Sequence, residues 1–243
     1  MKTNKPKAVI SLFDLSGEMV KPWAKTHTVF CFDMQHPDGM LVYPHRRTVG
    51  GDASTWAAPI AEIFAAYDVS MVFAFPPCTD LAISGAGHFA AKAAANPNYR
   101  ADAMALVYLA HDMANLNFPL EDAPIHGVPF MIENPVSVIS TEWRKPDYMF
   151  QPHHFGGYLP EDDTSPHPVI PARDAYTKKT CLWTGNGFVM PEARPVDPIK
   201  YTDSNGLNYS GPAWKLGGKS LRTKNIRSAT PRGFAKAVFL ANS

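Results

Sequence analysis

The feature that most constrains the fold is the order of apolar runs and amphipathic stretches in the first 135 residues. Each short apolar run predicts a buried strand, and the stretches with apolar residues at helical spacing predict helices. This alternation is typical of βαβ units and a parallel sheet, in which ligands bind beyond the carboxyl ends of the strands. The predicted strands are residues 8–13, 28–32, 69–75 and 128–132, and the predicted helices are residues 55–67 and 101–116.

The second half of the chain has a different character, because proline is frequent and helical spacing is weak. The chain has 23 prolines among 243 residues, roughly twice the average usage. A strand is predicted at residues 180–184 and a helix at residues 233–241. The sequence therefore predicts one α/β domain over residues 1–184, a small irregular lobe over residues 185–225 and a closing helical segment over residues 226–243.

The charge of the whole chain does not indicate a polyanionic partner, since 23 Lys and Arg residues stand against 22 Asp and Glu residues. The distribution of the charge is uneven, however. The segment from Trp214 to Lys236 carries seven basic residues and no acidic one. Such a run is a solvated face in many proteins, and a surface that contacts phosphates is the alternative.

Three widely spaced cysteines form neither a disulfide framework nor a paired metal-ligand pattern, which predicts a reducing, cytoplasmic environment. Asp14 interrupts the first apolar run too early for a signal peptide, and no segment has the length of a membrane span. We therefore expect no membrane partner, and no pattern in the sequence predicts an obligate protein partner.

Cys78 follows the predicted strand 69–75 directly, after two prolines that stiffen the backbone. A thiolate is a strong nucleophile when a helix N-terminus or a cation lowers the pKa of the thiol. Most cysteines outside disulfides are instead small buried apolar residues, and the apolar flanks of Cys31 and Cys181 favour that role for those two. The position of Cys78 after a strand favours a functional role.

Glu133 and Asn134 follow another predicted strand, residues 128–132. A carboxyl group in apolar surroundings can be held protonated and donate a hydrogen bond, whereas a solvated glutamate in an ordinary turn is the alternative. Because Glu133 and Cys78 follow strands of one predicted sheet, we expect them to lie near each other.

The turn after the first strand, residues 13–17, ends in Gly17, and Asp33 ends the second strand 20 residues after Phe13. A glycine turn followed by an acidic residue that binds ribose hydroxyls is typical of nucleoside cofactor sites. Asp52 precedes the predicted helix 55–67 and is either a third contact of this kind or a helix cap.

His153, His154 and His167 have no cysteine or acidic residue at metal-ligand spacing. We therefore interpret them as histidines of surface loops and predict no metal site.

The motifs SLFDLSG at residues 11–17, PPC at residues 76–78 and ENP at residues 133–135 carry a resemblance to the DNA cytosine-5 methyltransferase family. Their order and approximate spacing cover most of the chain. The sequence is particularly similar to small phage and bacterial members with a strand of the form YTKxTCLW, here YTKKTCLW at residues 176–183. The resemblance implies a Rossmann-like methyltransferase sheet, a small DNA-recognition lobe, a closing helix that packs back on the catalytic domain, and the cytoplasm of a bacterial or phage-infected cell.

The resemblance also implies catalytic roles. Cys78, preceded by Pro77, would supply the thiolate that adds to C6 of a flipped cytosine. Glu133, followed by Asn134, would contact the ring N3 and the exocyclic amine and so stabilise charge on the ring. Lys178 stands in the strand where the family has arginines that brace the base. Residues 83–94, which contain two glycines, are the expected lid over the base.

The implied cofactor is S-adenosylmethionine, held by the glycine turn and by the acidic residues that follow it. The cofactor-binding residues implied by the motifs are Phe13, Asp14, Leu15, Gly17, Asp33, Met34 and Asp52. The implied partner is double-stranded DNA, whose phosphates basic side chains neutralise. The implied DNA-binding residues are Lys179, Lys215, Lys219, Arg222, Lys224 and Arg227.

Some positions depart from the family pattern: Leu15, Thr79 and Pro135 stand where the family usually has glycine, glutamine and valine. Two alternatives therefore stay open. One is an enzyme of the same fold that modifies C5 of a free pyrimidine nucleotide or uses another donor, and the other is a catalytically inactive DNA-binding relative. A cysteine hydrolase would need a general base, and the nearest histidine in the sequence, His88, lies in the glycine loop.

Overall fold

The structure is a computed structural model that describes residues 5–115, 127–165, 167, 169–202, 205–206, 208–209 and 220–243. The chain forms two compact units. Unit 1 comprises Met1–Met149 and Thr180–Phe188, and unit 2 comprises Phe150–Lys179 and Val189–Ser243.

Eight strands form the main sheet: β1 (Lys7–Leu12), β2 (Thr28–Phe32), β3 (Met40–Val42), β4 (Arg47–Val49), β5 (Asp68–Ala74), β6 (Phe130–Pro135), β7 (Tyr148–Phe150) and β8 (Thr180–Gly185). Their order across the sheet is β3-β4-β2-β1-β5-β6-β8-β7. Neighbours from β4 to β6 run parallel, whereas β3 is antiparallel to β4 and β8 is antiparallel to β6. This mixed α/β arrangement confirms the predicted fold class and is compatible with a Rossmann-like fold.

The central strands are buried along nearly their whole length, as expected for parallel strands covered on both faces. The described helices are α1 (Ala57–Ala66), α2 (Phe89–Ala95), α3 (Tyr99–Asn115), α4 (Ile139–Glu142), α5 (Leu221–Ser228) and α6 (Arg232–Asn242). In the residues that the structure describes, no helix has the length and apolar character needed to cross a membrane.

The sequence predicted β2 at its observed residues and the other central strands and helices within a few residues. Helix α1 begins two residues late, because the 3₁₀ turn Ala53–Thr55 precedes it. Strands β3 and β4 were not predicted, since β3 is only three residues long and exposed throughout. The prediction that the lid is a loop is also wrong, because these residues form a 3₁₀ helix, Ile83–His88, followed by α2.

The predicted domain boundaries differ from those of the structure. Residues 150–179, predicted to belong to the α/β domain, form one compact unit with the C-terminal residues. The predicted boundary at residue 225 falls inside α5.

Unit 2 owes its compactness to aromatic and ionic contacts between segments that are far apart in sequence. The ring of Phe234 in α6 stacks on Phe150 with centroids 4.1 Å apart and lies 5.1 Å from the ring of Phe155. All three phenylalanines are buried. Two further short strands, β9 (Tyr201–Thr202) and β10 (Asn208–Tyr209), pair antiparallel in this unit. Helix α6 therefore packs on residues within 150–174, which the sequence prediction assigned to the α/β domain and which the structure places in unit 2.

Candidate active site

The segment of residues 76–82 after β5, here named the Cys78 turn, places Cys78 beyond the carboxyl end of the strand. The Cys78 carbonyl accepts hydrogen bonds from the amides of Leu81 and Ala82 at 3.1 and 2.9 Å. Both of these residues are buried, whereas Cys78 is exposed. The chain thus curls back directly after Cys78 and leaves its side chain accessible.

The other two cysteines lie in strands, as their apolar flanks predicted. Cys31 in β2 and Cys181 in β8 are both buried. Burial raises the pKa of the Cys31 thiol far above its ordinary value, which makes it a poor nucleophile at neutral pH. Cys78 is therefore the one exposed thiol of the three.

Strand β6 lies beside β5 and carries Glu133 and Asn134. The sequence predicted that the strand would end at Ile132, but antiparallel pairing with β8 extends it to Pro135. Because successive side chains of a strand point to opposite faces, Asn134 is buried while Glu133 is half-buried.

A buried hydrogen bond joins the two strand ends. The Asn134 Nδ2 group donates to the Pro76 carbonyl at 2.8 Å, although the two residues are 58 positions apart. This carbonyl lies two residues before Cys78. Asn134 therefore holds the Cys78 turn against the strand that carries Glu133.

Backbone hydrogen bonds join the segments that follow these two residues. The Ile83 amide donates to the Val136 carbonyl, and the Val138 amide donates to the Leu81 carbonyl, both at 3.0 Å. Together with the Asn134 bond, they place the Cys78 turn and the end of β6 side by side in unit 1, as their predicted positions after neighbouring strands required.

We expect Asn134→Ala to lower any reaction that depends on the Cys78 thiol about 100-fold, since a displacement of about 1 Å in a reacting group has effects of this size. The buried Pro76 carbonyl loses its side-chain donor, so the free energy of unfolding should also fall by about 1–3 kcal/mol. Steady-state kinetics and urea unfolding measure the two effects.

Asn186→Ala is the matched control, because Asn186 Nδ2 donates to the Val128 carbonyl at 3.1 Å, just before the opposite end of β6. This variant should lose stability and keep its activity. Equal losses of activity in both variants would contradict a specific role of the Asn134 bond.

The turn of residues 13–17 after β1 is built around the buried carboxylate of Asp14. Its oxygens accept hydrogen bonds from the Gly17 amide at 2.7 Å, the Ser11 hydroxyl at 2.8 Å and the Ser16 hydroxyl at 3.1 Å. Burial raises the pKa of Asp14, and these hydrogen bonds lower it by a smaller amount. The Asp14 carboxylate therefore shapes its own turn, whereas the sequence predicted a cofactor contact.

We expect Asp14→Ala to destabilise the protein by about 1–3 kcal/mol in urea unfolding, because the Gly17 amide loses a buried acceptor. Asp14→Asn is the control, since its amide oxygen can still accept from that amide. The folded pKa of Asp14 lies above its value of 3.8 in the unfolded chain. Stability should therefore decline as the pH rises from 3.8 through the folded pKa, and the Asn variant should lack this decline.

Phe13 adopts a left-handed backbone conformation, with φ of 58°. This conformation is uncommon for a bulky residue and is found preferentially at functional sites. The Phe13 ring lies 5.1 Å from the ring of Trp56, which precedes α1. Trp56 is buried and also contacts Phe32 at the end of β2, with ring centroids 5.4 Å apart.

Gly17 also has a positive φ, of 67°. A Cβ atom at this position would lie 2.8 Å from the Arg46 guanidinium. Arg46 covers the turn and donates hydrogen bonds to the Ser16 carbonyl at 3.0 Å and, more weakly, to the Leu15 carbonyl at 3.4 Å. The left-handed backbone conformation therefore favours glycine at position 17.

Asp33 follows β2 directly and is buried. Its Oδ1 atom accepts a hydrogen bond from the Gln35 amide at 2.8 Å, and its own amide donates to the Val49 carbonyl at 3.1 Å. The next residue, Met34, exposes 73% of its surface. Since β1 and β2 are adjacent, Asp33 and the 13–17 turn lie at the same edge of the sheet.

Asp52 caps the turn Ala53–Thr55, because its Oδ1 atom accepts hydrogen bonds from the Ser54 amide and hydroxyl at 2.9 and 2.6 Å. These bonds lower the pKa of Asp52. Asp52 also lines a cavity of about 530 Å³, together with Trp56 and Glu62. The capping role is thus present, and the cavity has the size of a small-molecule site.

The remaining predicted residues that the structure describes lie in unit 2. Lys178 is half-buried and Lys179 exposed, directly before β8. Three predicted DNA contacts are exposed on α5, namely Arg222, Lys224 and Arg227. The last two of these are one helical turn apart. Lys215 and Lys219 lie outside the described residues.

All three histidines are half-buried, and His153 and His154 lie in the 3₁₀ helix Pro152–Tyr158 where the sequence predicted a loop. His153 Nδ1 lies 3.1 Å from the Val196 carbonyl, and His154 Nδ1 accepts from the Gln151 amide at 3.3 Å. Burial lowers the pKa of His154. His167 Nδ1 accepts from the Val169 amide at 3.3 Å.

Sequence reasoning missed three residues of this region, namely Arg46, Trp56 as a contact of Phe13, and Lys92. Arg46 and Lys92 contact carbonyl groups 30 and 13 residues away, so no local pattern indicated them. An aromatic residue beside a predicted glycine turn was the available signal for Trp56.

The site thus combines an exposed thiol, a carboxyl group on the neighbouring strand and a strained turn beside buried Asp33. The chain matches no protein-family model and no curated protein sequence.

Proposed function

We propose that the protein is an S-adenosylmethionine-dependent DNA cytosine-5 methyltransferase that acts through a covalent bond between Cys78 and C6 of cytosine. The observation that carries this proposal is the buried 2.8 Å hydrogen bond from Asn134 to Pro76. This bond holds the turn that carries the exposed Cys78 against the strand that carries the half-buried Glu133, at the carboxyl ends of neighbouring strands. Addition of a thiolate to a pyrimidine is favoured by a second group that stabilises the charge developing on the ring.

The residues present fit the proposed cofactor. Phe13 and Gly17, both with a positive φ, form the turn after β1, where a nucleoside cofactor would approach the backbone closely. Asp33 stands at the end of the next strand for the ribose hydroxyls. Met34 offers an exposed apolar surface, and Asp52 lines the cavity. These residues would hold S-adenosylmethionine.

In the proposed reaction, the Cys78 thiolate forms a bond to C6 and electron density moves to C5. Glu133 hydrogen-bonds N3 and so stabilises the negative charge on the ring. S-adenosylmethionine, when bound, would supply the electrophilic methyl group for C5. Loss of the C5 proton to a base and departure of the Cys78 thiolate then restore the ring. The target cytosine must leave the duplex before Cys78 can reach its C6 atom.

The exposed cations of α5 support DNA as the substrate. Lys224 and Arg227 lie one turn apart on this helix, which contains no acidic residue. Basic side chains of this kind neutralise phosphates and supply most of the affinity for a duplex.

The test uses S-adenosylmethionine labelled on its methyl group, with duplex DNA of mixed sequence in one reaction and free dCMP in another. Nucleosides are then resolved by mass spectrometry. We expect the label in 5-methylcytosine from DNA and none in the free nucleotide. Label found only in the nucleotide would show that the free nucleotide, and not DNA, is the substrate. Cofactor binding without any labelled base would favour an inactive DNA-binding relative.

A further inference from the structure

We propose that Lys92 is a positioning residue for Cys78, because it fastens the helical lid onto the Cys78 turn and neutralises the carboxylate of Asp80. The lid is defined here as residues 83–95, which comprise the 3₁₀ helix Ile83–His88 and α2. The importance of Cys78 rests on the proposed function, whereas the contact itself does not.

Lys92 reaches from α2 to the residues that directly follow the nucleophile. Its Nζ atom donates to the Thr79 carbonyl at 2.6 Å and to the Asp80 Oδ1 atom at 2.7 Å. The Lys92 side chain is 27% exposed and that of Asp80 38% exposed. The ammonium therefore binds two successive residues of the Cys78 turn at once.

The lid is also held at the start of α3. The Phe89 ring lies 6.2 Å from the ring of Tyr99, and the Arg100 guanidinium lies over the Phe89 ring at 4.8 Å. With α2 packed in this way, Lys92 projects from a supported helix. It is thus a fixed link between the lid and the Cys78 turn.

The charge of Asp80 gives this link a chemical consequence. Consecutive Cα atoms are about 3.8 Å apart, so those of Cys78 and Asp80 are separated by at most about 7.6 Å. A nearby carboxylate disfavours a thiolate, and an ammonium paired with the Asp80 carboxylate removes most of that effect. Further titratable or charged groups on the adjoining elements are Glu133 on β6, His88 in the lid, and Tyr99 and Arg100 at the start of α3.

A purely structural role predicts a different result. Ion pairs with this degree of exposure contribute about 0–1 kcal/mol to stability, so loss of Lys92 should barely change unfolding. The expected effect is instead on the reactivity of the thiol. Alkylation by iodoacetamide measures this reactivity directly, because the thiolate forms a sulfur–carbon bond and releases iodide.

The experiment follows alkylation of Cys78 in the full chain from about pH 6 to pH 9, with peptide mass spectrometry to separate it from the buried Cys31 and Cys181. We expect Lys92→Ala to slow the reaction about three- to tenfold near neutral pH and to move the profile to higher pH. Lys92→Arg should keep the wild-type rate, and Lys92→Ala combined with Asp80→Asn should regain it.

The matched control is Lys21→Ala, which removes a surface ion pair with Glu18 of 3.6 Å elsewhere in unit 1. A wild-type alkylation profile in Lys92→Ala, or equal slowing in Lys21→Ala, overturns the proposal. Alkylation needs neither cofactor nor DNA. A shifted profile in a protein that transfers no methyl group therefore supports the role of Lys92 and rejects the proposed function alone.

Discussion

Replacement of Cys78 by alanine should reduce methyl transfer to DNA at least about 10⁴-fold, because the covalent bond to C6 cannot form without the thiolate. The side chain is exposed and lies outside the hydrophobic core, so the variant should fold and unfold like the wild type. Labelled methyl transfer, with nucleosides resolved by mass spectrometry, measures the loss.

Two measurements distinguish loss of the nucleophile from loss of the site. Calorimetric titration with S-adenosylmethionine should give the same affinity for Cys78→Ala and the wild type, since the cofactor residues are unchanged. DNA with 5-fluorocytosine should remain bonded to the wild type, because C5 then carries no proton to lose. A Cys78→Ala variant that keeps more than about one tenth of the activity, or still forms this adduct, would falsify the covalent mechanism.

Replacement of Arg232 by alanine should have the largest effect on stability, about 3–5 kcal/mol. Arg232 donates to both oxygens of Asp163, at 2.8 and 2.7 Å, and its Nε atom lies 3.7 Å from Asp174. The side chains of Asp163 and Asp174 are only 8% and 2% exposed. Loss of the guanidinium leaves two buried carboxylates in unit 2 without their shared cation.

Hydrogen exchange of the α6 amides, together with chemical unfolding, measures this loss. The Asp174 carboxylate accepts from the Gly233 amide at 2.8 Å, so the start of α6 should lose protection first. Arg144→Ala is the control, because Arg144 pairs with Asp147 at 2.8 Å with about a third of each side chain exposed. It should cost about 1 kcal/mol or less, and an equal cost in both variants would argue against burial as the cause.

The pH dependence of stability follows from the same contacts. Burial alone would raise the pKa of Asp163, but the hydrogen bonds from Arg232 and the Arg173 amide outweigh it and hold the pKa below 3.8. The stability from this pair is therefore present above pH 3.8 and is lost as the pH falls through the folded pKa. Burial raises the pKa of Asp174, which acts in the opposite direction. Arg232→Ala should thus gain less stability than the wild type between acidic and neutral pH.

The sequence alone determined the central strands, the main helices and the position of Cys78 beyond β5. It placed Glu133 after the strand of residues 128–132, whereas Glu133 lies within β6. These features depend on the spacing of apolar residues along a few turns or one strand, and that spacing is a local property. The position of a reactive residue at the carboxyl end of a strand is local in the same sense, because a short apolar run and the prolines after it mark where the strand ends.

The tertiary structure alone decided which distant groups meet. The Asn134 to Pro76 bond spans 58 positions, and Arg232 pairs with Asp163 across 69. Such contacts depend on how strands and loops pack, so the spacing of apolar residues along the sequence does not predict them. Lys92 is similar, because its partners became neighbours only when the expected lid loop folded as a helix. The same reason explains the division into units, since buried contacts between distant segments, and not composition, decide which segments form one compact body.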